Sequence, residues 1–141
     1  MPQPARLVFH AAIVLLLGLL CGFPALTETV AEGRLHTWRS AHLALVILGV
    51  WILATAAVWP VLVLGRREAS ALLASLLVTG YGIGIAVILE AATGVGGHQP
   101  EGPALNWIAF GGNTVGALAA LLAVLLTAAG AWAARRQHPR S

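Results

Sequence analysis

Four long apolar runs, parted by short polar or glycine-rich breaks, fill nearly the whole chain. They cover roughly residues 6–26, 38–64, 69–92 and 107–134. Each holds at least about 20 residues, enough for a helix rising 1.5 Å per residue to cross a hydrocarbon layer about 30 Å thick. A backbone in lipid has no water to bond to, so such runs close their hydrogen bonds internally as helices. The pattern predicts an all-α, integral membrane four-helix bundle that forms one domain over residues 1–141. No break is long enough to hold a separate soluble module.

The breaks differ in character. Gly65-Arg66-Arg67-Glu68 reads as a tight turn, so the second and third runs should pair as an antiparallel hairpin. Pro60, lacking an N–H, kinks or ends the second helix. Residues 27–37 read as a loop with at most one helical turn, which Gly33 interrupts. Residues 93–105 hold Gly94, Gly96, Gly97, Pro100, Gly102 and Pro103, the mark of an irregular loop. Within the runs, Gly18 and Gly22, Gly80 and Gly84, and Gly112 and Gly116 stand four apart. That spacing lets helix backbones approach closely in lipid, first of all within one chain. Trp38, Trp59, Trp107 and Trp132 lie toward run ends as interfacial anchors, whereas the central Trp51 reads as packing.

Charge supplies the orientation. Hydrophobic residues make up 59% of the chain and charged ones 9%, against about 25% charged in a soluble domain. The net charge of +3 does not point to nucleic acid, because the arginines sit at the ends of the runs. Arg6 precedes the first run, Arg66 and Arg67 join the second and third, and Arg135, Arg136 and Arg140 follow the fourth. The other two connections carry Glu28, Glu32 and Arg34, and then Glu101. The positive-inside rule places both termini and the Arg66–Arg67 turn in the cytoplasm, as an even number of spans requires. A bacterial-type inner membrane is the expected location. Cys21 is alone, which excludes an internal disulfide and a Cys-x-x-Cys-His haem attachment. The first run resembles a secretory signal with Thr29-Val30-Ala31 as a cleavage site, but the expectation is that it stays in the mature chain. Leu20 before Cys21 argues against a lipoprotein.

Polar groups are costly inside lipid, so the few within the runs are the candidate site. His42, Glu90 and Asn113 fall at similar depth in the outer half of the bilayer and are expected to share one pocket. His36, His98 and Glu101 would lie on the external loops above it. His10 starts the first run at the opposite side, roughly 20 Å away along the membrane normal, so it and His42 of one subunit cannot hold the same haem. Tyr81 and Thr79 are deeper in the third run. A neutral imidazole ligates iron, zinc or copper, and one axial His holds a haem. An apolar helical bundle can house that macrocycle. The plain alternative for His42 is a hydrogen bond to a carbonyl of a neighbouring helix. Glu90 either stays in the dry interior or reaches the hydrated interface. Asn113 has helix–helix hydrogen bonding as its plain alternative. Glu28, Glu32 and His36 recur every four residues and form a metal site only if a helix runs through Gly33. His138 belongs to a solvated tail.

Trp38-Arg39-Ser40-Ala41-His42 resembles the haem-ligating Trp-x-x-Ala-His segment that opens the second membrane helix of styrene oxide isomerases. His10 matches a His near the start of that family's first helix. Gly80-Tyr81-Gly82 resembles the Gly-Trp-Gly of its third helix, and Phe110-Gly111-Gly112-Asn113 its Phe-Gly-Pro-Asn before the last helix. The order holds across all four runs, with extra residues between the third and fourth.

The resemblance implies a homotrimer in the lipid bilayer that binds haem b near its subunit interfaces. His42 would be the axial ligand to the haem iron, with Trp38 in the cofactor-binding segment. In the family, ferric iron acts as a Lewis acid on an epoxide oxygen, and ring opening with a hydride shift gives an aldehyde. Tyr81 and Asn113 are then the candidates for orienting a small apolar substrate, with Glu90 a further polar pocket candidate. Four positions depart from the family: Leu48 and Ile83 stand in place of Asn, Val87 in place of Tyr, and Thr79 in place of Asp. Haem binding survives these losses, since it needs only His42 and a pocket. Substrate orientation needs polar groups, which Leu48, Ile83 and Val87 lack. The other classes are a haem sensor without catalysis and a colourless transporter or assembly subunit. An electron-carrying cytochrome b would need a second His at the depth of His42.

Overall fold

In the computed structural model, the described residues are 3–26 and 32–137. They form α1 (Gln3–Leu26), α2 (Glu32–Val58), a 3-10 turn (Trp59–Val61), α3 (Arg66–Thr93) and α4 (Ala104–Gln137). All four α-helices are long and apolar enough to cross a membrane. The chain is a multi-pass, all-helical membrane bundle. Neighbouring helices run antiparallel, so the first and last helix ends lie together. Arg6, Arg66, Arg67, Arg135 and Arg136 gather at that end.

Helices α1, α3 and α4 outrun the apolar stretches that predict them, while α2 starts before its stretch and ends short of it. The clearest difference is at α2, which starts at Glu32 and carries His36 and Thr37 on its first turns rather than on a loop. Gly33 does not break the helix, because it falls in the first turn, whose N–H groups lack intrahelical partners anyway. Arg66 and Arg67 likewise belong to α3. Its N-cap is Gly65, whose N–H donates to Glu68 Oε2 at 2.7 Å. The chain reversal comes earlier, from the Pro60 turn and the extended residues 62–65. There Leu62 N–H donates to the Trp59 carbonyl and Val63 N–H to the Gly130 carbonyl of α4. At its other end α3 stops at Gly94 in the left-handed region (φ 78°), with its N–H on the Glu90 carbonyl. Arg34 donates to the Ala92 carbonyl at 3.0 Å, placing a cation at the negative end of the α3 dipole.

The core lies among α1, α2 and α3, from Leu7, Ala11 and Val14 through Leu45 and Ile52 to Leu72 and Leu76. Helix α4 packs mainly on α3. In lipid no hydrophobic force drives helices together, so close contact between backbones matters more. The glycine pairs provide it within the chain. A Cβ on Gly18 would lie 3.0 Å from Leu45 Cβ, one on Gly80 2.9 Å from Ile52, and one on Gly112 2.6 Å from the Gly82 carbonyl oxygen. The outer faces carry Phe9, Leu19, Ile47, Leu118 and Leu125, all exposed, as a lipid-facing surface requires. Trp107 and Trp132 are 53% and 54% exposed toward opposite ends of α4, and Arg135 and Arg136 stand over the Trp132 ring at 5.3 and 5.4 Å. Trp38 and Trp59, also near helix ends, pack half-buried against the core, as Trp51 does.

Candidate functional site

The site begins with two missing side chains. Gly18 and Gly22, one turn apart on α1, leave bare backbone facing α2, and the His42 ring rests on it. A Cβ on Gly22 would come within 3.0 Å of His42 Nδ1. Nδ1 lies 2.8 Å from the Gly18 carbonyl oxygen. A carbonyl only accepts, so Nδ1 carries the proton, and in the neutral ring Nε2 keeps its lone pair. The plain alternative for His42 is the bond observed, and it is compatible with the ligand reading: bonding one nitrogen to a carbonyl leaves the other with its lone pair. Metal-binding histidines are oriented in this way.

Beside His42 lies a groove of about 550 Å³, lined by Leu16, Leu19, Leu20, Gly22, Phe23, Leu26, Arg39 and His42. It runs along the outer surface of the α1–α2 hairpin, where Leu16, Leu19, Leu20, Phe23 and Leu26 are exposed. His42 and Arg39 are its polar side chains. They stand three residues apart and thus on one face of α2. Trp38 does not line the groove. Arg39, which sequence reasoning passed over inside the Trp38–His42 motif, takes that place. The helical spacing alone carried the signal.

Glu90 and Asn113 do not join His42. Asn113 Nδ2 donates to Glu90 Oε1 at 2.7 Å and to the Gly97 carbonyl at 3.2 Å. These bonds tie α3, α4 and the loop together. Glu90 also borders a separate cavity of about 260 Å³ with His36, Thr37, Ser40, Ala41, Val87 and His98. Equal depth was the wrong test. Successive helical residues turn by about 100°, so Ala41 faces α3 while His42 faces α1. Tyr81 is also elsewhere, its hydroxyl 2.7 Å from His10 Nδ1 across α1 and α3. The two rings meet edge to face at 5.7 Å. His10 and Tyr81 both lay on the cytoplasmic side of the expected topology, which was the missed signal for this pair.

Asn106 was missed altogether. It is buried, and its Oδ1 accepts from Gly97 N–H at 2.8 Å. Its Nδ2 donates to the carbonyls of Gln99 and Glu101, both at 2.7 Å. A single side chain thus organises the glycine-rich loop. Among the described residues, no group of three His, Cys, Asp or Glu side chains could hold a metal ion. Glu28, Thr29-Val30-Ala31, His138 and the side chain of Glu32 lie outside the described residues.

A family model described as styrene oxide isomerase matches residues 3–132, a stretch that takes in α1 to α3 and most of α4. The chain belongs to the styrene oxide isomerase family. The match is therefore not confined to the segment around His42. No curated protein matches the sequence. The four positions that the resemblance marks as departures all pack within the bundle, Val87 also bordering the cavity beside Glu90. Leu48 and Val87 lie half-buried against the core. Ile83 would meet a Cβ on Gly116 at 2.6 Å. Thr79 is fully buried, its hydroxyl donating to the carbonyls of Ser75 and Gly116.

Proposed function

We propose that this chain binds haem b through Nε2 of His42 and isomerises apolar epoxides to aldehydes in the membrane. One observation carries the reading. The Gly18 carbonyl holds the Nδ1 proton of His42 and leaves Nε2 as the ligand nitrogen in the wall of an apolar groove. The residues present fit a haem: one oriented imidazole, a bare backbone at Gly22, and aliphatic and aromatic walls. Family membership supports the reaction class.

Bound there in its ferric form, haem supplies a Lewis acid for the epoxide oxygen. The rest falls to the protein. The hydrogen bond from His42 to Gly18 raises the basicity of the ligand nitrogen and fixes its direction. Leu16, Leu19, Phe23 and Leu26 favour a lipophilic substrate and keep out water, which would otherwise open the epoxide to a diol. In the net reaction one C–O bond breaks, a hydride moves to the neighbouring carbon, and a C=O bond forms. No oxidant or reductant is consumed.

We assign the Arg-rich end to the cytoplasm of a bacterial-type inner membrane, which puts the groove in the outer half of the bilayer. The groove opens on the outside of the α1–α2 hairpin. A homotrimer would let a neighbouring subunit close it.

The apolar side chains at Leu48 and Val87 favour a second reading, a haem protein of this family without isomerase activity. The test is to purify the full chain in mild detergent after expression with haem, beside His42→Ala. A Soret band present in the parent and lost in the variant, followed by aldehyde from a panel of apolar epoxides, is the expected result. A colourless parent overturns haem binding. A coloured parent that turns over no epoxide selects the second reading.

A further inference from the structure

The groove has one feature that ligation by His42 does not use. Its walls are hydrocarbon except at His42 and Arg39. A guanidinium is a cation with a planar fork of N–H donors, and one lining an apolar wall near the membrane surface is best met by an anion. Three other arginines have local contacts: Arg34 bonds the Ala92 carbonyl, while Arg135 and Arg136 cover Trp132. Arg39 instead borders the groove. It stands one turn from His42, on the side nearer the start of α2 and thus nearer the membrane surface.

We propose that Arg39 recognises a carboxylate of the group ligated by His42, which for haem b is a propionate. The inference rests on the haem reading above. Haem carries both propionates on one edge and its iron at the centre. A cation one helical turn surfaceward of the axial ligand would draw that edge toward water and set the rotation of the macrocycle about the His42–iron axis. Arg39 is therefore a positioning residue. A guanidinium suits a carboxylate because its paired N–H groups match the two oxygens.

The test compares haem b with its dimethyl ester, which keeps the iron and the ring but has no propionate charge. Full-length parent, Arg39→Gln and Arg39→Lys, freed of haem, are titrated with each compound in detergent and followed by the Soret band. The parent should bind haem b about tenfold or more tightly than the ester, the scale of one charge-assisted hydrogen bond. Arg39→Gln should lose that preference while its affinity for the ester stays unchanged, and Arg39→Lys should recover part of it. Equal weakening toward both compounds would make Arg39 merely structural and overturn the proposal. The preference for haem b surviving in Arg39→Gln also overturns it. If that variant then loses dependence on added phosphatidylglycerol, the guanidinium serves a lipid phosphate instead. A parent that binds neither compound overturns the haem reading itself, a result distinct from these.

Discussion

The carbonyl oxygen of Gly18 accepts a 2.8 Å hydrogen bond from Nδ1 of His42 across the α1–α2 contact. This carbonyl belongs to a helix and can serve both, because an oxygen has two lone pairs. The contact is short because neither Gly18 nor Gly22 has a side chain to hold α2 away. Helix packing and imidazole orientation are thus one feature: the residues that bring the two helices together also decide which nitrogen carries the proton.

Gly22→Ala tests that coupling. The new Cβ would lie 3.0 Å from Nδ1, closer than nearly all real Cβ contacts, so the ring must shift. The bond to Gly18 then lengthens or bends. Haem affinity, measured by Soret titration, should fall about 10-fold to 100-fold, as when an orienting partner of a metal ligand is lost. Far-UV circular dichroism should remain that of the parent. Undiminished affinity would mean that Gly22 serves packing alone.

Tyr81→Phe should be silent at the haem. Its hydroxyl is bonded to His10 and does not border the His42 groove. Deleting the hydroxyl removes one interhelical hydrogen bond, on average about 0.6 kcal/mol in a membrane protein. A small drop in the detergent melting temperature is expected, with an unchanged Soret band and unchanged epoxide turnover. Lost turnover at normal haem content would put Tyr81 back among the reacting groups.

The spans, their number and the antiparallel order were legible in the sequence, since length and hydropathy fix them physically. His42 stood out in the sequence too, because a His in an apolar run has few roles, and its carbonyl bond to a neighbouring helix was one of those foreseen. What could not be read was azimuth. His42, Glu90 and Asn113 share a depth, yet His42 looks toward Gly18 of α1 while Glu90 bonds Asn113 of α4. Three nearly uniform apolar helices give no amphipathic stripe from which to orient a wheel. The helical start of α2 at Glu32 was hidden for a different reason. Polar residues at a membrane surface continue a helix as readily as they end one.

Gly112→Ala should damage the α3–α4 seam while sparing the site. Its Cβ would stand 2.6 Å from the Gly82 carbonyl oxygen, a backbone atom that cannot swing aside. Forcing the helices apart should destabilise the fold by about 1–3 kcal/mol, as overpacking does in cores. Thermal unfolding in detergent would show it. Since the groove is built on α1 and α2, the Soret band per folded molecule should match the parent. A melting temperature equal to the parent's would mean that α4 docks less tightly than this contact requires.

Asn106→Ala bears on the loop that joins α3 to α4. The substitution deletes three hydrogen bonds at once: the one accepted from Gly97 N–H, and the two donated to Gln99 and Glu101. Gly97 is itself buried, in the left-handed region at φ 62°, and its carbonyl accepts from Asn113. Losing Asn106 therefore leaves a buried donor without its partner, about 1–3 kcal/mol. It also loosens the segment that closes over Glu90. The loop should open before the helices melt, because those bonds, rather than apolar burial, hold it. Limited proteolysis and hydrogen exchange over 94–103 should both speed up, while the amides of α1 and α2 stay protected and haem content is kept. Asn106→Asp should fall between the two, since a carboxylate still accepts from Gly97 but cannot donate to the carbonyls of Gln99 and Glu101. Exchange rising equally in α1 and α2 would show that the loop and the hairpin bearing His42 unfold as one unit, and the separation of the two sites would then fail.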